Sequence, residues 1–175
     1  LYTFLILTGS ISAQGDNPLV DAVPSEWIPS NIHSDSEFDV ITINGFDDFN
    51  LGVDFAEPHV SQNPLNPLQY FGAYNINGAW RTSDGHNWTS SAPNFGASPN
   101  GDPITTYDGA GNLYYETMVG SVTGCRVIRS TDNGATWTAG VVAVSGNDKN
   151  WMVADQTSGP YSGYIYTGMT PGNFA

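Results

Sequence analysis

Basic residues are nearly missing from this chain. Lys and Arg together number four, against seventeen Asp and Glu, for a formal net charge of −13 over 175 residues. Phosphate would be repelled by such a surface, so the composition argues against nucleic acid and against an anionic membrane as partners. Cysteine is down to one residue, Cys125, which excludes an internal disulfide and reads most simply as a small buried apolar side chain. Only three histidines occur, scattered along the chain, so no His-based metal site is expected. Helical periodicity is almost absent. There is no Gly-x-Ser-x-Gly, no His-Glu-x-x-His and no Gly-rich phosphate loop. No hydrophobic run is long enough to cross a membrane as a helix. The apolar opening "LYTFLILTGSISAQ" (1–14) ends in small residues and reads instead as the remnant of a signal peptide, cleaved near Ala13 or Gln14. The mature chain is therefore expected to be secreted, at the cell surface or periplasmic, and not inserted in a membrane.

Aromatic residues and turn formers are abundant. Five Trp, nine Tyr and eight Phe, regularly spaced, argue for a folded core despite the charge. Short alternating apolar runs such as "LQYFGAY", "NLYYETMVG", "CRVIRS" and "YIYTGMT" read as strands, separated by polar turns such as "SDG" and "DGAGN". Three segments repeat one pattern of acidic residue, short strand, polar turn and aromatic strand. They start at Glu57, Asp102 and Asp148, with spacings of 45 and 46 residues. A period of 40–50 residues built from four short strands is the signature of a β-propeller blade. The predicted fold is all-β, a partial propeller of about two to three four-stranded antiparallel blades. A lead-in at 15–53 precedes blades at about 54–98 and 99–144 and an incomplete one at 145–175. First strands are expected at His59–Gln62, Ile104–Tyr107 and Trp151–Ala154. Second strands are expected at Gln69–Tyr74, Leu113–Val119 and Tyr164–Met169, with Tyr115 and Tyr166 stacked between blades. Third strands are expected at Gly78–Arg81 and Arg126–Ser130. Fourth strands should begin near Trp88 and Trp137.

A second repeat keeps step with the first. "STDNGATW" carries Ser130, Asp132, Gly134 and Trp137, and the shorter "TSDGHNW" carries Thr82, Asp84, Gly85 and Trp88, with 48 residues between the two aspartates. Each residue type suits a tight turn. The carboxylate can accept backbone N–H groups, the hydroxyl can add a bond, Gly permits the dihedral, and Trp can fold back over the core. The chain resembles the Asp-box, or BNR-repeat, propellers of the sialidase superfamily, whose motif is Ser/Thr-x-Asp-x-Gly-x-x-Trp. The resemblance covers about residues 54–175. It implies that both boxes are structural turns on the outer part of each blade, away from any catalytic mouth.

Chemistry is expected where the innermost strands of the blades begin. That rim would gather Glu57, Asp102 and Asp148 as candidate catalytic carboxylates, with Asp54, His59 and Lys149 beside them as candidate substrate-binding residues. A carboxyl of raised pKa beside an ionised one is the glycosidase arrangement. The same ring could hold Ca²⁺ through oxygen ligands. Alternatively, acidic residues in these loops simply suit the turn into the strand. A sialidase proper is not expected, because the superfamily's early Arg-Ile-Pro element has no match. The corresponding place reads "AEPHV", and two of the three arginines adjoin the boxes. Three readings stay open: a secreted glycosidase-like propeller acting on carbohydrate or glycoconjugate, a non-catalytic propeller that binds glycan or protein, and a structural domain of a larger exported protein.

Overall fold

A computed structural model describes residues 40–52, 57–76 and 78–171. The predicted signal-peptide remnant, the start of the lead-in and Asp54 lie outside them. Within the described residues the protein is all-β and antiparallel. A hairpin comes first, β1 (Val40–Ile43) and β2 (Phe46–Phe49). The first four-stranded sheet follows: β3 (His59–Asn63), β4 (Asn66–Tyr74), β5 (Gly78–Thr82) and β6 (Trp88–Ser90), in that spatial order. The second sheet repeats the meander with β7 (Pro99–Tyr107), β8 (Leu113–Val119), β9 (Gly124–Ser130) and β10 (Val141–Ser145). A third, two-stranded sheet pairs β11 (Asn150–Ala154) with β12 (Ile165–Met169). The opening strands β3, β7 and β11 are neighbours in a row, so the three sheets stack in chain order.

Alternation decides what each face meets. On β8, Leu113, Tyr115 and Thr117 are buried, and so are Glu116 and Met118 on the opposite face. A strand in the middle sheet is covered on both sides, so its burial is nearly continuous. The main core lies between the first and second sheets. It consists of Phe71, Ala73, Ala79, Phe95, Tyr107, Leu113, Tyr115 and Ile128, with Trp137 packed against it. Its rings meet edge to face, Phe71 to Tyr115 at 5.8 Å, Phe95 to Tyr115 at 4.9 Å and Phe71 to Trp137 at 5.4 Å between centroids. That is the geometry favoured by the aromatic quadrupole.

Two expectations are corrected, and the lead-in adds a strand pair. The fourth strand of the second sheet begins at Val141, not near Trp137, because the box tryptophan is spent covering the core and the chain needs a further loop to reach the sheet edge. Tyr115 packs between sheets as expected, but Tyr166 is 49% exposed, because it lies on the face of the third sheet that points away from the second. The lead-in holds a strand pair around Asn44 and Gly45, with φ of 54° and 84°. Asn-Gly in that conformation between alternating residues marks a two-residue hairpin, and "ITINGFDD" carries it in plain view.

Both boxes are tight turns held by their own side chains. In the second, Asp132 Oδ1 accepts from the Ser130 hydroxyl (2.7 Å) and the Thr136 N–H (2.8 Å), and Oδ2 accepts from the Thr136 hydroxyl (2.6 Å). Ser130 Oγ accepts the Gly134 N–H at 2.8 Å. In the first, Asp84 Oδ1 accepts from the Thr82 hydroxyl and from the N–H groups of His86 and Asn87, at 3.0, 2.9 and 2.7 Å. Gly85 and Gly134 take φ of 76° and 79°. The extra residue of the second box is Asn133, also left-handed at 56°. Its amide donates to the Thr82 carbonyl at 2.7 Å, so the longer turn reaches across to the first sheet.

Burial works to raise the Asp132 carboxyl, but the bonds from Thr136, Ser130 and Ala135 outweigh it and hold it at about 2. The same contest leaves Asp84 well below its ordinary value. A depressed carboxyl stabilises the fold above its unfolded value and stops doing so as pH falls through the folded one. The Asp132 contribution should therefore fade between pH 3.8 and about 2. Asp132→Ala should lower stability by about 1–3 kcal/mol through orphaned turn donors, read by urea denaturation at neutral pH. The difference from the parent chain should shrink in acid. An unchanged midpoint would assign the turn's rigidity to Gly134 and Trp137 alone.

Candidate functional site

The residues expected at the rim are brought together in part. Asp102 sits where β7 is bulged, between Gly101 and Ile104, and is buried. Bulges of this kind re-aim a side chain. Its Oδ2 lies 3.1 Å from Lys149 Nζ, which arrives from the approach to β11. Glu57, two residues before β3, places its carboxyl within hydrogen-bond reach of Asp102 and accepts a bond from Asn75 Nδ2 at the end of β4. Three successive sheets thus contribute Glu57, Asp102 and Lys149 to one place. Asp148 is exposed and joins neither Glu57 nor Asp102 among the described residues. Its neighbour Lys149 takes the position the sequence pattern assigns to a third carboxylate. All three acidic residues have positive φ: 62° at Glu57, 47° at Asp102 and 152° at Asp148. For Glu57 and Asp102 this is the left-handed region, which costs a side-chain-bearing residue about 1–2 kcal/mol. Strain of that kind recurs at functional positions. Gly101 is required by a close approach, since a Cβ there would lie 2.9 Å from Asn75 Oδ1.

The electrostatics divide the two carboxyls. The shared hydrogen bond with Asp102 pushes the Glu57 carboxyl up, burial and the Asp102 charge add to this, and Lys149 and Asn75 oppose it. Glu57 is the member disposed to keep a proton, while Asp102 has an ammonium against it. His59 stands beside them on β3. Its Nδ1 accepts the Thr105 N–H at 3.2 Å, and the Thr105 hydroxyl lies 3.1 Å away and 2.8 Å from Ser61 Oγ. An accepting Nδ1 leaves the proton on Nε2. Burial first, and the Lys149 charge second, lower the His59 pKa, so the ring is neutral at physiological pH. The cluster therefore offers a carboxyl pushed up from its ordinary value, an ammonium paired with Asp102 and an imidazole Nε2–H. Among the described residues no group of three or more His, Cys, Asp or Glu is placed to hold a metal ion. The cation beside Asp102 is the lysine.

The arginines lie elsewhere. Arg126 donates to the carbonyls of Gly96 and Gly140, and Arg129 donates to Asn112 Oδ1. Sequence reasoning missed Asn75, and it missed Glu116, which is fully buried on β8 between the second and third sheets. Glu116 Oε1 accepts from Asn150 Nδ2 at 2.8 Å, and Oε2 accepts from the Thr167 hydroxyl. The available signal was a lone acid within "LYYETMV", a strand otherwise built for burial. No protein family, curated protein or solved structure matches the chain.

Proposed function

We propose that the stacked sheets are successive blades of an Asp-box β-propeller, exported from the cytoplasm, and that its rim binds or acts on carbohydrate. The reading rests on one observation, the convergence of Glu57, Asp102 and Lys149 from the starts of three consecutive sheets, with His59 beside them. A Glu57 carboxyl pushed up from its ordinary value beside an Asp102 paired with the Lys149 ammonium gives the cluster a candidate acid and a candidate base, the division of labour used at glycosidic bonds. Donors and acceptors in alternation also suit sugar hydroxyls, which do both. The exposed rings of Trp151, Tyr164 and Tyr166 offer flat apolar surfaces on which sugar rings can stack.

One observation favours a binding module over a hydrolase. The Glu57 carboxyl lies within hydrogen-bond reach of Asp102, whereas retaining glycosidases hold their pair about 5–5.5 Å apart and inverting ones further. Glycan-array binding, followed by calorimetry on the best ligand and by assay for released reducing ends, tests both readings. Glu57→Gln and Asp102→Asn should each weaken binding about tenfold or more, as loss of a charge-assisted hydrogen bond of about 1.5–3 kcal/mol requires. The melting temperature should scarcely move in Glu57→Gln, whereas Asp102→Asn gives up the Lys149 ion pair and should lower it. Released sugar that disappears in both variants would select the enzyme. Undiminished affinity in both would leave the cluster a structural joint.

A further inference from the structure

Glu116 is the one fully buried acid among the described residues, and it lies at the seam between the second sheet and the third. Both of its oxygens are approached from the third sheet, Oε1 by the Asn150 amide on β11 and Oε2 by the Thr167 hydroxyl on β12. Asn150 is itself fully buried, and its Oδ1 has no partner. A buried acceptor left bare is costly. The cost disappears if the carboxyl is a neutral acid. An amide that donates through Nδ2 to one carboxyl oxygen presents Oδ1 to the proton on the other, closing the reciprocal acid–amide pair. An ionised carboxylate can only accept and leaves that Oδ1 bare.

We infer that Glu116 is a pH-sensitive catch: as a neutral acid it fastens β11–β12 onto the β7–β10 sheet, and as a carboxylate it lets that sheet go. Burial, opposed by the Thr167 and Asn150 donors, raises the carboxyl above its ordinary 4.5. A raised carboxyl contributes its full stabilisation below its unfolded value and loses it as pH rises through the folded one. The catch is therefore closed in acid and weakens toward neutral and alkaline pH. The titratable group facing it is the Cys125 thiol on β9, and Asp102 on β7 faces that thiol in turn. The Cys125 thiol is pushed up to about 12 by burial, Glu116 and Asp102, in that order, so it stays protonated throughout this range. The Lys149–Asp102 ion pair, 3.1 Å long, also joins the two sheets but works in the opposite sense, since it weakens in acid. The sign of the pH dependence thus separates the two.

Hydrogen exchange of the β11 and β12 amides, corrected for intrinsic exchange rates and followed from acid to mildly alkaline pH, reads the fastening directly. In the parent chain, protection should fall by up to about tenfold per pH unit as pH rises from the ordinary value of 4.5 toward the folded pKa, and level off above it, as release of a single proton demands. Glu116→Gln keeps an acceptor for the Asn150 amide and supplies an N–H for its Oδ1, so protection should be retained and become independent of pH. Protection that is flat in the parent chain, or that falls equally in Glu116→Gln, overturns the inference. So does protection lost toward acid. Carbon-13 NMR of the Glu116 carboxyl in the parent chain decides the matter without a variant. Titration above the ordinary value supports the catch, and titration at or below it refutes it.

Discussion

Gly134→Ala is expected to cost the protein about 2–5 kcal/mol, an effect out of proportion to one methyl group. The backbone there is left-handed, with φ of 79°, a penalty of about 1–2 kcal/mol for any residue bearing a Cβ. That Cβ would also stand 2.5 Å from Phe71 Cε2 and 3.2 Å from Trp137 Cζ2. Overpacking in a closed core adds about 1–3 kcal/mol. Equilibrium urea denaturation measures the sum, with the slope checked for constancy. A loss under about 1 kcal/mol would mean that the aromatic cluster yields more readily than close-packed interiors do.

The second large effect is on the other side of the same contact. Phe71 on β4 is fully buried against Tyr115 and Trp137. Phe71→Ala should cost about 3–5 kcal/mol, the removed transfer energy plus the cavity left behind. The two substitutions should not add. With the ring gone, the Gly134→Ala methyl has space, and only its backbone penalty remains. The double variant should therefore be more stable than the sum of the single losses implies, by about 1–3 kcal/mol. Strict additivity would show that the ring and the turn are not in contact in solution.

The parts of the fold legible in the sequence were those governed by short-range rules. The repeated pattern of acidic residue and short strand located the opening strands of the three stacked sheets, and period-two alternation located the second and third strands beside them. The turn chemistry of Thr82–Asp84–Gly85 and Ser130–Asp132–Gly134 gave both boxes, because the bonds made by the Thr82, Asp84, Ser130 and Asp132 side chains all span four residues or fewer. The rim was legible in its positions and not in its chemistry. Equal spacing singled out Glu57, Asp102 and Asp148, but spacing along a strand says nothing of which way a bulged backbone aims the next side chain. The bulge at Gly101 turns Asp102 inward, and Lys149 enters in place of its neighbour Asp148. Glu116 stayed hidden for a related reason. Its partners lie 34 and 51 residues later, and no local pattern ties an acid in one strand to an amide and a hydroxyl in two others.

Asn133 carries a consequence for how the protein folds. Its amide reaches the Thr82 carbonyl, its carbonyl oxygen receives the Tyr107 hydroxyl, and nearby the Ser91 hydroxyl donates to the Gly134 carbonyl and accepts from the Trp137 indole. The second turn is thus keyed into the edge of the first sheet across 51 residues of chain. A contact so distant in sequence forms only after the intervening loop has closed. Neither sheet can complete its core alone, because the ring that seals Phe71 belongs to the other. The pair should consequently melt in one cooperative transition, and a break between them should expose Tyr115 and Trp137 together.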